Sequence, residues 1–375
     1  MNKLNITYVF GSGRKDKLLH KNYKAKEFFY GVDHFINKGN NVEIIEMSKE
    51  QVEVIGFKKA LRIIDKILRK VSNLPFYFTE ILSVQNFKKL AKTEKLIITN
   101  DRLALSILPF LLIIKTYKKI EIYVIVMGLF SKKKDRFLIR AIQNFLIKIL
   151  LNISKNLIFL GKGEIKFAEN TFSKYSKKFK FLPFSVDTAF WGKESVDPTL
   201  NKKILFIGND GNRDYELFLK IAESYPEISF TCITNNINNS QVPKNCNLIS
   251  GNWNESLLSD DEIRNFYINS RIVIIPLKET FQPSGQSVSL QSMSVGIPVL
   301  ISQTKGFWDT DLFSNRENIV FIDENNLEGW KKAIDSIYDD KETLNNLSKN
   351  AKANILKNLN LNTFNTRLEK ILNIM

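Results

Sequence analysis

Ile272-Val273-Ile274-Ile275 leads through a polar loop into Ser284-Gly285-Gln286-Ser287-Val288-Ser289-Leu290-Gln291-Ser292-Met293-Ser294-Val295, and then into Gly296-Ile297-Pro298-Val299-Leu300-Ile301. A β-branched run, a loop, a proline-free stretch and a second β-branched run spell strand, loop, helix, strand. Ser284 suits a helix N-cap, Gly296 suits the left-handed residue after the last turn, and Pro298 forbids continuation, so the spacing predicts about three helical turns. The first turn leaves the N–H groups of Gly285, Gln286 and Ser287 without helical partners, beside a glycine that admits an anion closely, which suits a diphosphate. Gln291 lies four residues after Ser287 on the same helical face, within reach of a sugar hydroxyl beside that phosphate. An ordinary capped crossover helix meets the same description, and such helices are common.

The same alternation runs outward through the chain. Strands are predicted at Ile6 to Phe10, Val42 to Glu46, Leu96 to Thr99, Ile122 to Val126 and Leu157 to Leu160. A second set is predicted at Ile204 to Ile207, Ser229 to Ile233, Asn247 to Ser250, Ile272 to Ile275, Val299 to Ile301 and Ile319 to Phe321. Strands separated by helical segments make parallel sheets, and two sets of them make two doubly wound domains. Pro183, Gly192 and Pro198 punctuate the stretch between them. The expected division is a first domain at 1–190 and a second at 191–375, the latter ending in helices that carry Trp330, Ile334, Leu347 and Ile371. Ligands of such sheets bind at the carboxyl ends of the strands, so the natural site is the cleft between the domains.

The chain has 375 residues, 44% hydrophobic and 25% charged, which excludes a disordered tail, a disulfide mini-protein and a collagen-like fibre. Its net charge of +16 is uneven: positions 1–190 hold 36 basic and 16 acidic residues, a net of +20, and the remainder has a net of −4. A genome-wide lysine bias would load both halves alike, so the first half calls for a physical reason. Cys232 and Cys246 have no partner motif and read as free thiols of a reducing compartment. The apolar run near the start is too short for a signal peptide, and the run Leu103 to Ile114 falls short of the roughly 20 residues that span a bilayer. A cytoplasmic protein is expected.

The stretch Leu290-Gln291-Ser292-Met293-Ser294-Val295-Gly296-Ile297-Pro298-Val299 resembles the signature of family-4 glycosyltransferases of the GT-B fold, and Ser284-Gly285-Gln286-Ser287 is similar to a variant found in that family. The resemblance implies two Rossmann-like domains facing across a cleft, a nucleotide-sugar donor, no metal or other cofactor, and transfer with retention. It implies that Ser284, Gly285, Gln286 and Ser287 hold the diphosphate. Gln291 replaces the family's ribose-holding Glu, and Glu279, twelve residues before it where the family has eight, would take the contact with the donor sugar. The loop Gly208-Asn209-Asp210-Gly211-Asn212-Arg213 resembles the family's phosphate-binding Gly-Arg loop, with Gly208 and Asn209 opening it and the arginine displaced by several residues. Its structural alternative is a solvated turn built from turn-forming residues. Phe181 to Trp191 is similar to the family's interdomain segment.

Gly11-Ser12-Gly13 lacks the third glycine of a dinucleotide fingerprint, Asp16 standing in its place, so a nicotinamide site is not expected. His20 and His34 are the only histidines; His20 would be the base of an inverting enzyme, though a histidine among lysines is more often a surface group. Met127-Gly128-Leu129 stands where many family members carry a donor-site histidine. Two stretches mix cations with large apolar residues: Phe57 to Phe78, and Lys132-Lys133-Lys134-Asp135-Arg136 running on to Leu150. They suit an anionic membrane surface, and equally suit helices packed on their own sheet with lysines turned to water. No nucleic-acid-binding signature accompanies them.

The leading expectation is a hexosyltransferase using a UDP-sugar, with a lipid, lipopolysaccharide or glycan acceptor at a membrane. The alternatives are a nucleotide-sugar epimerase or hydrolase of the same fold, and a non-catalytic membrane-binding relative with a degenerate donor site.

Overall fold

A computed structural model describes residues 3–20, 23–48, 57–131, 137–194, 196–250 and 258–374. The stretch 132–136, the side chains of Phe57 and Lys58, and the side chain of His20 lie outside the described residues. The first sheet contains β1 (Asn5–Phe10), β2 (Asn41–Glu46), β3 (Lys95–Ile98), β4 (Glu121–Val126), β5 (Asn156–Phe159) and β6 (Phe179–Phe181). The second contains β7 (Ile204–Ile207), β8 (Phe230–Ile233), β9 (Cys246–Ile249), β10 (Ile272–Ile275), β11 (Val299–Ser302) and β12 (Val320–Ile322). Every pairing is parallel, in the orders β2-β1-β3-β4-β5-β6 and β12-β11-β10-β7-β8-β9. The predicted strands are all present, each end within one residue of its expected place. The strand β6 was not foreseen, because two phenylalanines around Lys180 make too short a run to stand out.

Five helices carry the argument and are numbered in chain order: α1 (Phe57–Ser72), α2 (Asp101–Lys115), α3 (Phe137–Ile153), α4 (Gln286–Val295) and α5 (Leu361–Leu372). The period-2 alternation of the strands sorts the core into layers. Tyr8 and Phe10 of β1 and Val273 and Ile275 of β10 belong to one cluster that runs between the two sheets. Val9 belongs to a second cluster under α2 and α3, and Ile272 and Ile274 to a third on the far side of the second sheet.

The strand order reverses between β1 and β3 in one sheet and between β7 and β10 in the other, and ligands of such sheets sit at these points. The loops after β1, β3, β7 and β10 all reach the cleft between the domains. The domains are stitched together around it: Lys162 pairs with Asp309 and with Asp311 (2.6 Å), and Phe167 stacks on Phe281 with ring centroids 4.5 Å apart.

The last helix departs from the expected division of the chain at 190/191. Asn360 bridges Val186, and the carbonyl of Leu372 accepts from Lys95 Nζ (2.7 Å) and Tyr123 Oη (3.3 Å) of the first sheet. Phe364, Leu368 and Leu372 share a core with Tyr30 and Phe35, so α5 crosses back onto the first domain. Helical spacing shows that a helix has an apolar face but not which sheet that face covers.

Candidate functional site: the cleft between the domains

The cleft has a volume of about 1060 Å³. Its second-domain wall begins with the loop after β7. Asp210 organises that loop: one carboxylate oxygen accepts from the backbone N–H groups of Asn212 (2.9 Å) and Arg213 (3.1 Å), and the other accepts from the Arg213 guanidinium (2.8 Å). Arg213 is only 3% exposed, yet it lines the cleft, so its charge is fixed and partly desolvated. Gly208 makes room for it, since a Cβ there would stand 2.4 Å from Arg213 Nε. Asn209 turns away from the cleft, its side-chain oxygen accepting from Thr234 Oγ1 (3.0 Å) and the Asn235 amide (2.7 Å), which removes it from the expected phosphate contacts.

The second element is the start of α4. The N-cap is Gly285, at φ 80°, and not Ser284; the Ser284 hydroxyl accepts instead from Asn212 Nδ2 at 2.7 Å. The local alternation of Ser and Gly allowed either residue to end the turn. Packing decided it, because a Cβ at Gly285 would approach Ile275 Cγ2 to 2.9 Å and Ile301 Cδ1 to 3.2 Å. That same Cβ position lies 3.8 Å from a guanidinium nitrogen of Arg213. The helix N-terminus and the arginine therefore converge on one end of the cleft, where Arg213, Gly285 and Ser287 all line the wall. Gln286 lies at the edge of the cleft, but its side-chain amide donates to the Leu160 carbonyl (2.9 Å), a strut to the opposite domain.

Two more expected site residues lie elsewhere. Gln291 is buried, and its Nε2 donates to Glu27 Oε1 at 2.8 Å while its Oε1 accepts from Tyr267 Oη at 3.2 Å. It therefore faces the first domain, outside the cleft lining. Glu279 is exposed and outside the lining as well; its carboxylate accepts from the amides of Thr280 (3.1 Å) and Lys305 (2.9 Å), which ties down a loop. The extra residues between Glu279 and α4 carry this carboxylate past the cleft. His34 pairs with Glu369 at 3.0 Å, also outside the lining.

Sequence reasoning missed two residues. Glu27 is 2% exposed and accepts from Trp191 Nε1 (2.8 Å), Gln291 Nε2 (2.8 Å) and the Asp187 amide (3.3 Å). Burial pushes its carboxyl from the ordinary 4.5 up to about 7, against the opposing pull of those hydrogen bonds. An acid immediately before Phe28-Phe29-Tyr30 was the available signal. Arg14 lines the first-domain wall, with its guanidinium 5.4 Å from the Phe28 ring centre, and burial lowers it to about 10. The backbone N–H of Lys15 donates to Glu46 at 2.9 Å, which places Lys15 and Glu46 on the same wall. Among the described residues, no group of three or more His, Cys, Asp or Glu side chains could hold a metal ion.

The chain resembles known proteins in two ways. Residues 255–354 match the family model described as glycosyl transferases group 1. No curated protein matches the sequence. Among solved structures, a sucrose-phosphate synthase from Thermosynechococcus elongatus superposes with a TM-score of 0.68 at 11% identity, over 99% of this chain and 98% of that one. Anabaena HepE in complex with UDP-glucose superposes with a TM-score of 0.68 at 10% identity, over 99% and 100% of the two chains. A glycosyltransferase from Rickettsia africae gives 0.66 at 11% identity over 100% of both. At such identities the likeness is one of fold, and it extends over the whole length of this chain. Two facing six-stranded parallel sheets, with the family match on the wall that carries α4, make this chain a glycosyltransferase of the GT-B fold with a group 1 domain.

Proposed function

We propose that the protein transfers a hexose from a UDP-sugar to a lipid, lipopolysaccharide or glycan acceptor at the cytoplasmic face of a membrane, with retention. The observation that carries the donor half is the convergence of buried Arg213 and the α4 N-terminus on one end of the cleft. The structure of Anabaena HepE with UDP-glucose supports the choice of donor. In this reading the acceptor hydroxyl oxygen bonds to the anomeric carbon as the bond to the donor's diphosphate oxygen breaks. The hydroxyl proton passes to the departing diphosphate, on the same face, and UDP leaves. Arg213 and the first-turn N–H groups stabilise the charge that grows on the diphosphate, with no metal or cofactor taking part.

The position of Gln291 bears on the non-catalytic alternative. Its replacement of a carboxylate is matched by Glu27 across the domain interface, so a structural role accounts for the glutamine without invoking decay of the donor site. No helix among the described residues is long and apolar enough to cross a membrane, and the acceptor is read as reached from the surface.

Calorimetry with UDP and GDP, on the wild type and on Arg213→Ala, tests the donor site. UDP binding that falls at least about 100-fold on substitution is the expected result, and an unchanged affinity overturns the assignment. Mass spectrometry with a UDP-sugar panel and extracted membrane lipids then reads transfer. Product from donor alone would favour the epimerase or hydrolase, and NMR of the new linkage distinguishes retention from inversion.

A further inference from the structure

Fifteen large hydrophobic side chains stand exposed among the described residues, and ten of them lie on α1, α2, α3 and the turn after α2. Both α1 and α2 pack against α3, so these side chains share one layer of the first domain. Ile63, Ile64 and Ile67 on α1 are 54%, 43% and 54% exposed; Phe137, Leu138 and Phe145 on α3 are 82%, 73% and 64% exposed. They exceed what the core requires, because the same helices already bury Leu61, Ile147 and Leu150 against the sheet. A helix face in water normally carries charge at such positions.

The charge on this layer has one sign. Every exposed ionic side chain described on α1, α2 and α3 is a lysine or arginine, while their two acids, Asp65 and Asp101, are 1% and 5% exposed. Asp65 is occupied in accepting from the amides of Phe78 (2.7 Å) and Thr79 (3.2 Å). Such a face repels a second copy of itself, since two-fold pairing sets like charges against each other. Apolar side chains fringed by cations match the boundary of an anionic bilayer, where the apolar groups enter the interface and the cations meet headgroups.

The layer is continuous with the cleft. Arg62 of α1 lines it, together with Lys89 and Arg102, on the wall opposite Arg213. We propose that the α1–α2–α3 face seats the enzyme on an anionic lipid bilayer, so that the acceptor wall of the cleft opens at the membrane surface. This deepens the reading of a membrane-held acceptor and rests on it only for the acceptor's location.

Cosedimentation of the full chain with phosphatidylglycerol-containing vesicles, against pure phosphatidylcholine vesicles, is the test. Binding about tenfold tighter to the anionic vesicles, weakening as salt rises, is expected. The double variant Ile67→Asp, Phe145→Asp should lower that binding about tenfold or more, with UDP affinity and melting temperature unchanged. Lys66→Glu with Lys70→Glu, a change of surface charge alone, should abolish the preference for anionic lipid. Equal binding to both vesicle types, or either double variant behaving as wild type, overturns the proposal. So does a wild-type dimer that Ile67→Asp, Phe145→Asp splits, which would make the face a contact between copies. Loss of vesicle binding with UDP binding intact sinks the docking face alone, whereas vesicle binding without UDP binding sinks the donor reading alone.

Discussion

The two walls of the cleft are built in opposite ways. On the second domain, α4 has no charged residue and is buried but for Ser287, so the wall offers a helix end, a glycine and one fixed arginine. On the first domain, Arg14, Lys15, Arg62, Lys89 and Arg102 face the cleft with, among the described residues, only Glu46 and Glu80 opposing them, drawn from elements scattered between β1 and α2. A local motif can make the first kind of wall, because contiguous residues supply every part. The second kind exists only after the sheet has assembled. The contrast also locates the charge asymmetry: the second-domain wall presents a few oriented groups, while the first-domain wall and the helices behind it carry the cations.

The sharpest way to break the comparison is Gly285→Val. At φ 80° with Ile275 Cγ2 2.9 Å from any Cβ, the branched side chain cannot be housed without moving the start of α4. UDP affinity measured by calorimetry should fall by roughly 100-fold or more. Vesicle binding should be unchanged, because α1, α2 and α3 belong to the other domain and the Gln286 strut from that turn reaches Leu160 after β5, not these helices. If both fall together, the walls are not independent.

The next effect belongs to the seam between the walls. Gln291→Glu would set a second carboxyl against Glu27, where the amide now donates at 2.8 Å. Losing that donor beside a buried acid should cost roughly 3 kcal/mol, read as a lower melting temperature, and more at pH 8 than at pH 6. An unchanged melting temperature at pH 8 would mean that the seam opens readily in solution.

Glu27 itself gives a smaller, pH-resolved effect. Its folded pKa of about 7 lies above the ordinary 4.5, so the folded state holds the proton more tightly than the unfolded chain. Its contribution to stability is full below about pH 4.5 and is lost as pH rises through 7, a span worth up to roughly 3 kcal/mol. Arg14, Tyr30 and Tyr267 feel its charge. Glu27→Gln should flatten the fall in melting temperature between pH 5 and 8. An identical pH profile in wild type and variant would show that the carboxyl is ionised throughout.

The legibility of the sequence follows the same divide. The strands and α4 could be read because β-branched runs and helix stops are local signals, and the place of Arg213 on the cleft wall because its loop follows a strand directly. The role of Gln291 was misread, since a shared helical face says nothing about what stands opposite; only the folded chain brings Glu27 to it from 264 positions away. The return of α5 to the first domain was hidden for the same reason. The apolar excess of α1 and α3 was visible as composition, but whether it faced the sheet or the solvent required the packed layer.

Glu279 provides the smallest effect and the finest test of how literally a motif should be carried across a change in spacing. If its family role survived the longer interval before Gln291, removing the carboxylate would cost a donor-sugar contact and kcat would fall about tenfold or more. The structure instead has it accepting from Thr280 and Lys305 amides on an exposed loop outside the cleft lining. Exposed hydrogen bonds of this kind contribute about 1 kcal/mol at most. Glu279→Ala should therefore change kcat/KM with a UDP-sugar by less than about threefold, with a small loss of loop order seen as faster hydrogen exchange at Lys305. A selective loss of kcat with unchanged UDP affinity would return Glu279 to the donor sugar, and would mean that this loop swings inward when the donor binds.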